Sequence, residues 1–169
     1  MAAVNLRTFK KKMLTNKRAF KRFITKLEND PPKALNTICV EVEKTVWPEI
    51  DCLGCANCCK KMTPTFTPKD IKRIAAHLEM TEDAFKEKWL YYDKKDEEWM
   101  NTKQPCQFLN LEDNKCSIYE VRPADCAGFP HLSKKPAKDY VHIHKQNIEY
   151  CPATYTFIEK LKARMENKG

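Results

Sequence analysis

Glycine is scarce, with three in 169 residues. Neither G-x-G-x-x-G nor G-x-x-x-x-G-K occurs, which excludes the Rossmann and P-loop classes of nucleotide-binding protein. Long hydrophobic runs are missing as well. No apolar stretch approaches the ~18 residues of a membrane span. The Lys10-Lys11-Lys12 run near the start is not followed by the apolar segment of a secretory signal, so a cytoplasmic location is expected. No Ser/His/Asp set or carboxylate pair can be assembled from spacing, which leaves hydrolase chemistry without support. Two features are plentiful instead, positive charge (31 Lys and Arg against 23 Asp and Glu, net +8) and cysteine, of which there are nine. Cysteine is about 5% of the chain, below the roughly 8–10% of a small disulfide scaffold. A chain of this length buries a core without crosslinks. In a reducing compartment, closely spaced cysteines are metal ligands or redox groups more often than disulfides.

The apolar pattern predicts a mainly α chain with a small β-hairpin, one compact domain organised around cysteine-rich loops. Three segments make it up: a basic helical pair over 1–50, a cysteine-cluster region over 51–152 and a C-terminal helix over 153–169. Leu6, Phe9, Met13, Phe20, Ile24 and Leu27 mark one face of a first helix. Its other face carries Arg7, Lys10, Lys11, Lys12, Lys17, Arg18, Lys21, Arg22 and Lys26. Asn29-Asp30-Pro31-Pro32 breaks it, and Leu35, Ile38, Val42 and Val46 mark a second helix ending at Trp47-Pro48. Residues 1–50 hold eleven Lys or Arg against five acids, six of the eight net positive charges. Such a face is either solvated surface or a docking site for a protein partner, nucleic acid or an anionic membrane surface, although no nucleic-acid motif is present. Thr67-Pro68-Lys69-Asp70 and Thr81-Glu82-Asp83 have the order of helix starts. Residues 91–104 show no clean period and read as an irregular connection. Cys106 to Leu109 and Cys116 to Tyr119 flank a polar run and predict a hairpin turning at Glu112-Asp113-Asn114. Cys126 to Pro130 reads as loop, His142 and His144 as alternating positions of a strand-like segment, and Cys151-Pro152 as the start of the last helix.

Cys52-x-x-Cys55-x-x-Cys58-Cys59 places four thiols in eight residues. Two-residue spacing lets a tight turn aim consecutive thiolates at one metal. Cys106, Cys116, Cys126 and Cys151 bring the candidate ligands to eight, enough for two four-coordinate sites. Soft thiolates select zinc, iron–sulfur or copper(I) and exclude magnesium and calcium. Cys52, Cys55 and Cys58 repeat the three-cysteine part of a bacterial ferredoxin run, with Cys151-Pro152 as the remote fourth ligand. Cys39, between Ile38 and Val40, reads as core. Arg122 is a candidate to balance thiolate charge or to pack over Tyr119. His131 is the histidine best placed to approach a metal, and His77 reads as structural.

The ordered set Cys52-x-x-Cys55-x-x-Cys58-Cys59, Pro105-Cys106-x-Phe108-Leu109 and Cys116-x-Ile118-Tyr119-x-x-Arg122-Pro123-x-x-Cys126-x-x-Phe129-Pro130 resembles the CxxCxxCC family, also called YkgJ-type cysteine cluster proteins. The resemblance spans about 52–151 and implies a zinc- or iron-chelating domain. Related cysteine-rich segments occur in flagellin lysine methylases. The position after Cys126, often arginine in relatives, is Ala127 here. The expected function is metal binding, with iron (as an iron–sulfur cluster, such as 4Fe-4S) or zinc held by the eight cysteines for electron transfer or metal handling. The rivals are a cluster-dependent protein lysine methyltransferase and a zinc-stabilised nucleic-acid adaptor.

Overall fold

The computed structural model describes residues 4–167. In chain order the helices are α1 (Leu6–Asn29), α2 (Leu35–Val46), α3 (Cys52–Cys55), α4 (Asn57–Lys61), α5 (Pro68–His77), α6 (Glu82–Trp89), α7 (Ala124–Gly128), α8 (Ala137–Tyr140), α9 (His144–Asn147) and α10 (Pro152–Glu166). The strands are β1 (Thr65–Phe66), β2 (Leu90–Asp93) and β3 (Glu98–Asn101). The chain divides into two units, one built from the segments up to Cys55 and from Pro130 onward, the other from Ala56–Phe129.

The first unit is helical. Asn5 caps α1 by accepting from the Thr8 N–H at 2.9 Å, and the predicted stripe buries Phe9, Met13, Phe20, Ile24 and Leu27. Tyr155 of α10 packs between Phe9 and Phe20, with ring centroids 5.8 and 5.1 Å away, and its hydroxyl accepts from Asn16 at 2.7 Å. Lys17 and Lys21 both reach Glu149 at 2.6 Å. Leu35, Ile38, Cys39, Val42 and Val46 of α2 are buried, and α2 packs on α10. Each fully buried Phe or Ile contributes roughly 1.5–3 kcal/mol. The last helix starts at Pro152 as predicted; of its expected stripe Thr154, Ile158, Leu161 and Met165, the first three are buried and Met165 is half-buried, while Ala153, Tyr155 and Phe157 are buried as well. The segment holding His142 and His144 is not extended: Val141–Ile143 is a 3-10 turn leading into α9.

The second unit is a small antiparallel sheet, in the order β1-β3-β2, packed with α5 and α6. Phe66, Ile71, Ile74, Ala75, Phe85, Leu90, Phe108 and Ile118 form its core. The stretch expected to be irregular, 91–104, contains a hairpin in which Leu90 pairs with Asn101 and Asp93 with Glu98. Its charged turn ends at Glu97 with φ 55°, and two strands of four residues are too short to show a period. The hairpin expected over 106–119 shrinks to one bridge, Leu109 with Cys116. Its Phe108 and Ile118 amides turn to cysteine sulfurs instead of crossing the ladder. Cys126 lies in α7, whose first amide, that of Ala124, donates to Asp70 at 3.1 Å; the expectation of loop there is corrected.

Candidate metal centre

The Asp51-Cys52-Leu53-Gly54-Cys55 segment folds into a single turn because Asp51 starts it. The Asp51 carboxylate accepts from the Leu53 N–H at 3.1 Å and its carbonyl from the Cys55 N–H at 3.1 Å. Glycine suits position 54 because a Cβ there would stand 2.7 Å from the Asp51 carboxylate. Cys52 is exposed and Cys55 buried. Ala56 then takes a left-handed conformation, φ 45°, before α4 presents Cys58 and Cys59. In the first unit Cys55 lies within electrostatic reach of Cys151, the N-cap of α10. The Thr154 N–H donates to the Cys151 sulfur at 3.4 Å, yet burial still pushes this thiol up.

The second unit gathers its thiols more fully. The Cys59 carbonyl accepts from the Cys106 N–H at 2.9 Å, which ties α4 to the loop before Phe108. Cys59, Cys106, Cys116 and Cys126 come from four separate places in the sequence, and every pair among them interacts electrostatically. Burial pushes Cys106 up to about 11 against the Phe108 N–H that donates to its sulfur; Cys59 and Cys116 add to the rise, and Asn101 opposes it. Burial likewise raises Cys116, opposed by the Ile118 N–H and by Arg122. Cys126 is driven up furthest, by burial first and then by Asp125 and the other thiols. Cys59 moves the other way, down to about 7, through its hydrogen bond with Cys58, whose sulfur is 3.9 Å away. Backbone amides aimed at sulfur are the outer-sphere donors that tune thiolate metal sites.

The Arg122 guanidinium stands 3.9 Å from the Tyr119 ring centroid, and its charge favours ionised Cys116. Sequence reasoning missed Arg73 and the long-range use of Asp70. The Asp70 carboxylate, 1% exposed, accepts from Thr67 N–H and Oγ1 at 3.0 and 2.6 Å, from Arg73 at 2.6 Å and from the Ala124 N–H. Arg73 also donates to the Arg122 carbonyl at 2.8 Å. The pair clamps the segment between Cys116 and Cys126. The Thr67-to-Asp70 capping signal was legible, but its second use was not. Asn101, 3% exposed at the end of β3, was missed too.

All nine cysteines are described, and they form no disulfide. Among the described residues no three Cys, His, Asp or Glu side chains already stand in metal-holding geometry. The donor set itself fits a soft metal: burial raises isolated thiols, and a cation among four of them supplies the missing charge. Cys39 is buried away from this chemistry in α2, its thiol pushed up to about 12 by burial and by Glu43. His131 and His142 interact with His144 in the first unit.

A family model described as "CxxCxxCC: Putative zinc- or iron-chelating domain" matches residues 51–153. The chain belongs to this CxxCxxCC family. The match takes in all eight candidate ligands and leaves out Cys39. An uncharacterized protein of Methanocaldococcus jannaschii is 32% identical over 81 residues, 47% of this chain and 43% of that protein. The match therefore spans less than half of that relative. No solved structure matches. No helix among the described residues is long and apolar enough to cross a membrane.

Proposed function

We propose that this CxxCxxCC chain is a cytoplasmic metal-holding protein that carries iron, as an iron–sulfur cluster, or zinc on its cysteine thiolates. The observation that carries the reading is the mutual interaction of Cys59, Cys106, Cys116 and Cys126 inside one unit. These four residues are the proposed ligands of one centre. Cys52, Cys55 and Cys151 are the donors of the first unit, and Cys58 is a further donor on α4. A reducing compartment keeps thiols free to ligate metal, which agrees with the cytoplasmic assignment. When bound, a cluster supplies one-electron exchange, whereas zinc supplies folding energy. Four thiolates around one metal leave no open position for a substrate, which favours electron transfer or metal handling over Lewis-acid catalysis. Arg122 offsets part of the thiolate charge, and the Phe108 and Ile118 amides stabilise sulfur. Anaerobic purification followed by metal and acid-labile sulfide analysis tests the proposal. Iron with sulfide, or zinc without it, is the expected result. Protein that carries neither metal and takes up neither on reconstitution overturns it.

A further inference from the structure

The metal proposal leaves the basic face of α1 unused. From Leu6 to Leu27 the sequence contains no Asp or Glu. Two of its nine cations, Lys17 and Lys21, are taken by Glu149. Among the described residues none of Arg7, Lys10, Lys11, Lys12, Arg18, Arg22 and Lys26 has an ion-pair partner, and all seven are exposed. Arg7, Lys11, Arg18 and Arg22 recur at steps of four, seven and four, so they form one line along the helix. At 1.5 Å per residue the line is roughly 22 Å long. It lies opposite the buried Phe9, Met13, Phe20, Ile24 and Leu27.

We infer that this line docks the phosphate backbone of a nucleic-acid duplex, without reading sequence. Three observations choose this partner. An interfacial membrane helix inserts its apolar face, but the apolar face of α1 is buried in its own unit. Protein interfaces favour aromatic residues and are depleted in lysine, whereas this face has four exposed lysines, no exposed aromatic and one exposed apolar side chain, Leu14 at 64%. Single-stranded nucleic acid is held by base stacking on aromatic rings, which the face does not offer. What remains is a row of guanidinium and ammonium groups matched to a regular row of phosphates.

The full metal-containing chain is titrated against labelled duplex DNA and duplex RNA of about 20 base pairs, at salt from about 50 to 200 mM. Binding is expected to be independent of sequence, with a log–log salt slope of about −3 to −4, at roughly 0.9 per phosphate neutralised. The K11Q/R18Q/R22Q variant is expected to lose at least tenfold in affinity and to flatten the slope by about 2–3. K69Q/K72Q/K94Q removes the same charge from the second unit and is expected to retain affinity. Binding confined to one duplex supports the inference and assigns DNA or RNA. Equal loss in the two variants overturns it, as does no binding, or equally tight binding to phosphatidylserine vesicles or polyglutamate. The altered side chains are exposed, and a far-UV spectrum and melting midpoint like those of the parent show that folding is intact; R18Q/R22Q serves as a second, smaller variant.

Discussion

His144 is 2% exposed, its ring centroid lies 5.6 Å from that of Phe157, and among the described residues its Nδ1 has no hydrogen-bond partner. Burial, followed by the charges of His131 and His142, lowers its pKa from 6.5 to about 4. The unfolded chain therefore takes up a proton near pH 6.5 that the folded chain refuses until about pH 4. Stability present above pH 6.5 is lost as pH falls through that window, to a total of roughly 3 kcal/mol. Urea unfolding at pH 7.5, 5.5 and 4.5 should show this decline in the parent and a flatter one in His144→Phe. Alternation suggested a strand at this histidine because Val141, His142, Ile143 and His144 carry no helix-start signal; packing on α10 imposes the helical path. Cys39 illustrates the opposite case, since its apolar neighbours marked it as core and it is buried. Cys39→Ala should cost about 1 kcal/mol in denaturant unfolding and leave metal per chain unchanged, whereas Cys116→Ser should lower metal content. Equal metal loss in both variants would refute the distinction.

Among the elements, α1, α2, α5, α6 and α10 were legible because each carries a punctuation mark at its start or end and an apolar stripe between. The Thr67 capping box shows how much a local signal leaves out. It starts α5, but Asp70 also holds Ala124, and its i,i+3 partner Arg73 holds Arg122, contacts about fifty residues away that no spacing rule contains. Burial alone would raise the Asp70 carboxyl; the donors from Thr67, Arg73 and Ala124 hold it below its ordinary 3.8. Its contribution is present above that pH and is lost as pH falls further. Asp70→Ala should destabilise the chain by roughly 2–4 kcal/mol, because a buried charged hydrogen-bond network is broken. Through α7 it should also weaken metal binding roughly tenfold. Cobalt(II) titration, read by thiolate-to-metal charge transfer, measures the second effect independently of the first. Unchanged cobalt affinity in the variant would show that the clamp only stabilises the fold. The β2–β3 hairpin was not legible, since Lys94-Lys95-Asp96-Glu97 between the strands hides the alternation of residues on either side.

For the whole molecule, the cysteine count and spacing announced soft-metal chemistry, but not which thiols share a unit. The run Cys52-x-x-Cys55-x-x-Cys58-Cys59 reads as one motif, yet Cys55 and Ala56 fall in different units. Spacing reports what one turn can aim; grouping depends on tertiary contacts such as the Cys106 N–H donating to Cys59. If Cys59, Cys106, Cys116 and Cys126 carry the metal, chelation should release protection in the second unit first. Hydrogen exchange after metal removal is expected to accelerate most in β1–β3, α5 and α6, less at the start of α10 beside Cys151, and little in α1 and α2. Uniform acceleration over both units would contradict that placement.

The order of the two units along the chain also sets a timetable for synthesis. Ala56–Phe129 is continuous, so Cys59, Cys106, Cys116 and Cys126 are all synthesised before Pro130 and leave the ribosome ahead of the segment that completes the helical unit. The helical unit must wait, because α10 and Cys151 emerge about a hundred residues after α2 and Cys55. At roughly 5–20 residues per second the delay is about 5–20 s. During that interval a nascent chain can capture its first metal while the apolar stripes of α1 and α2 still lack α10, which makes them natural clients for a chaperone.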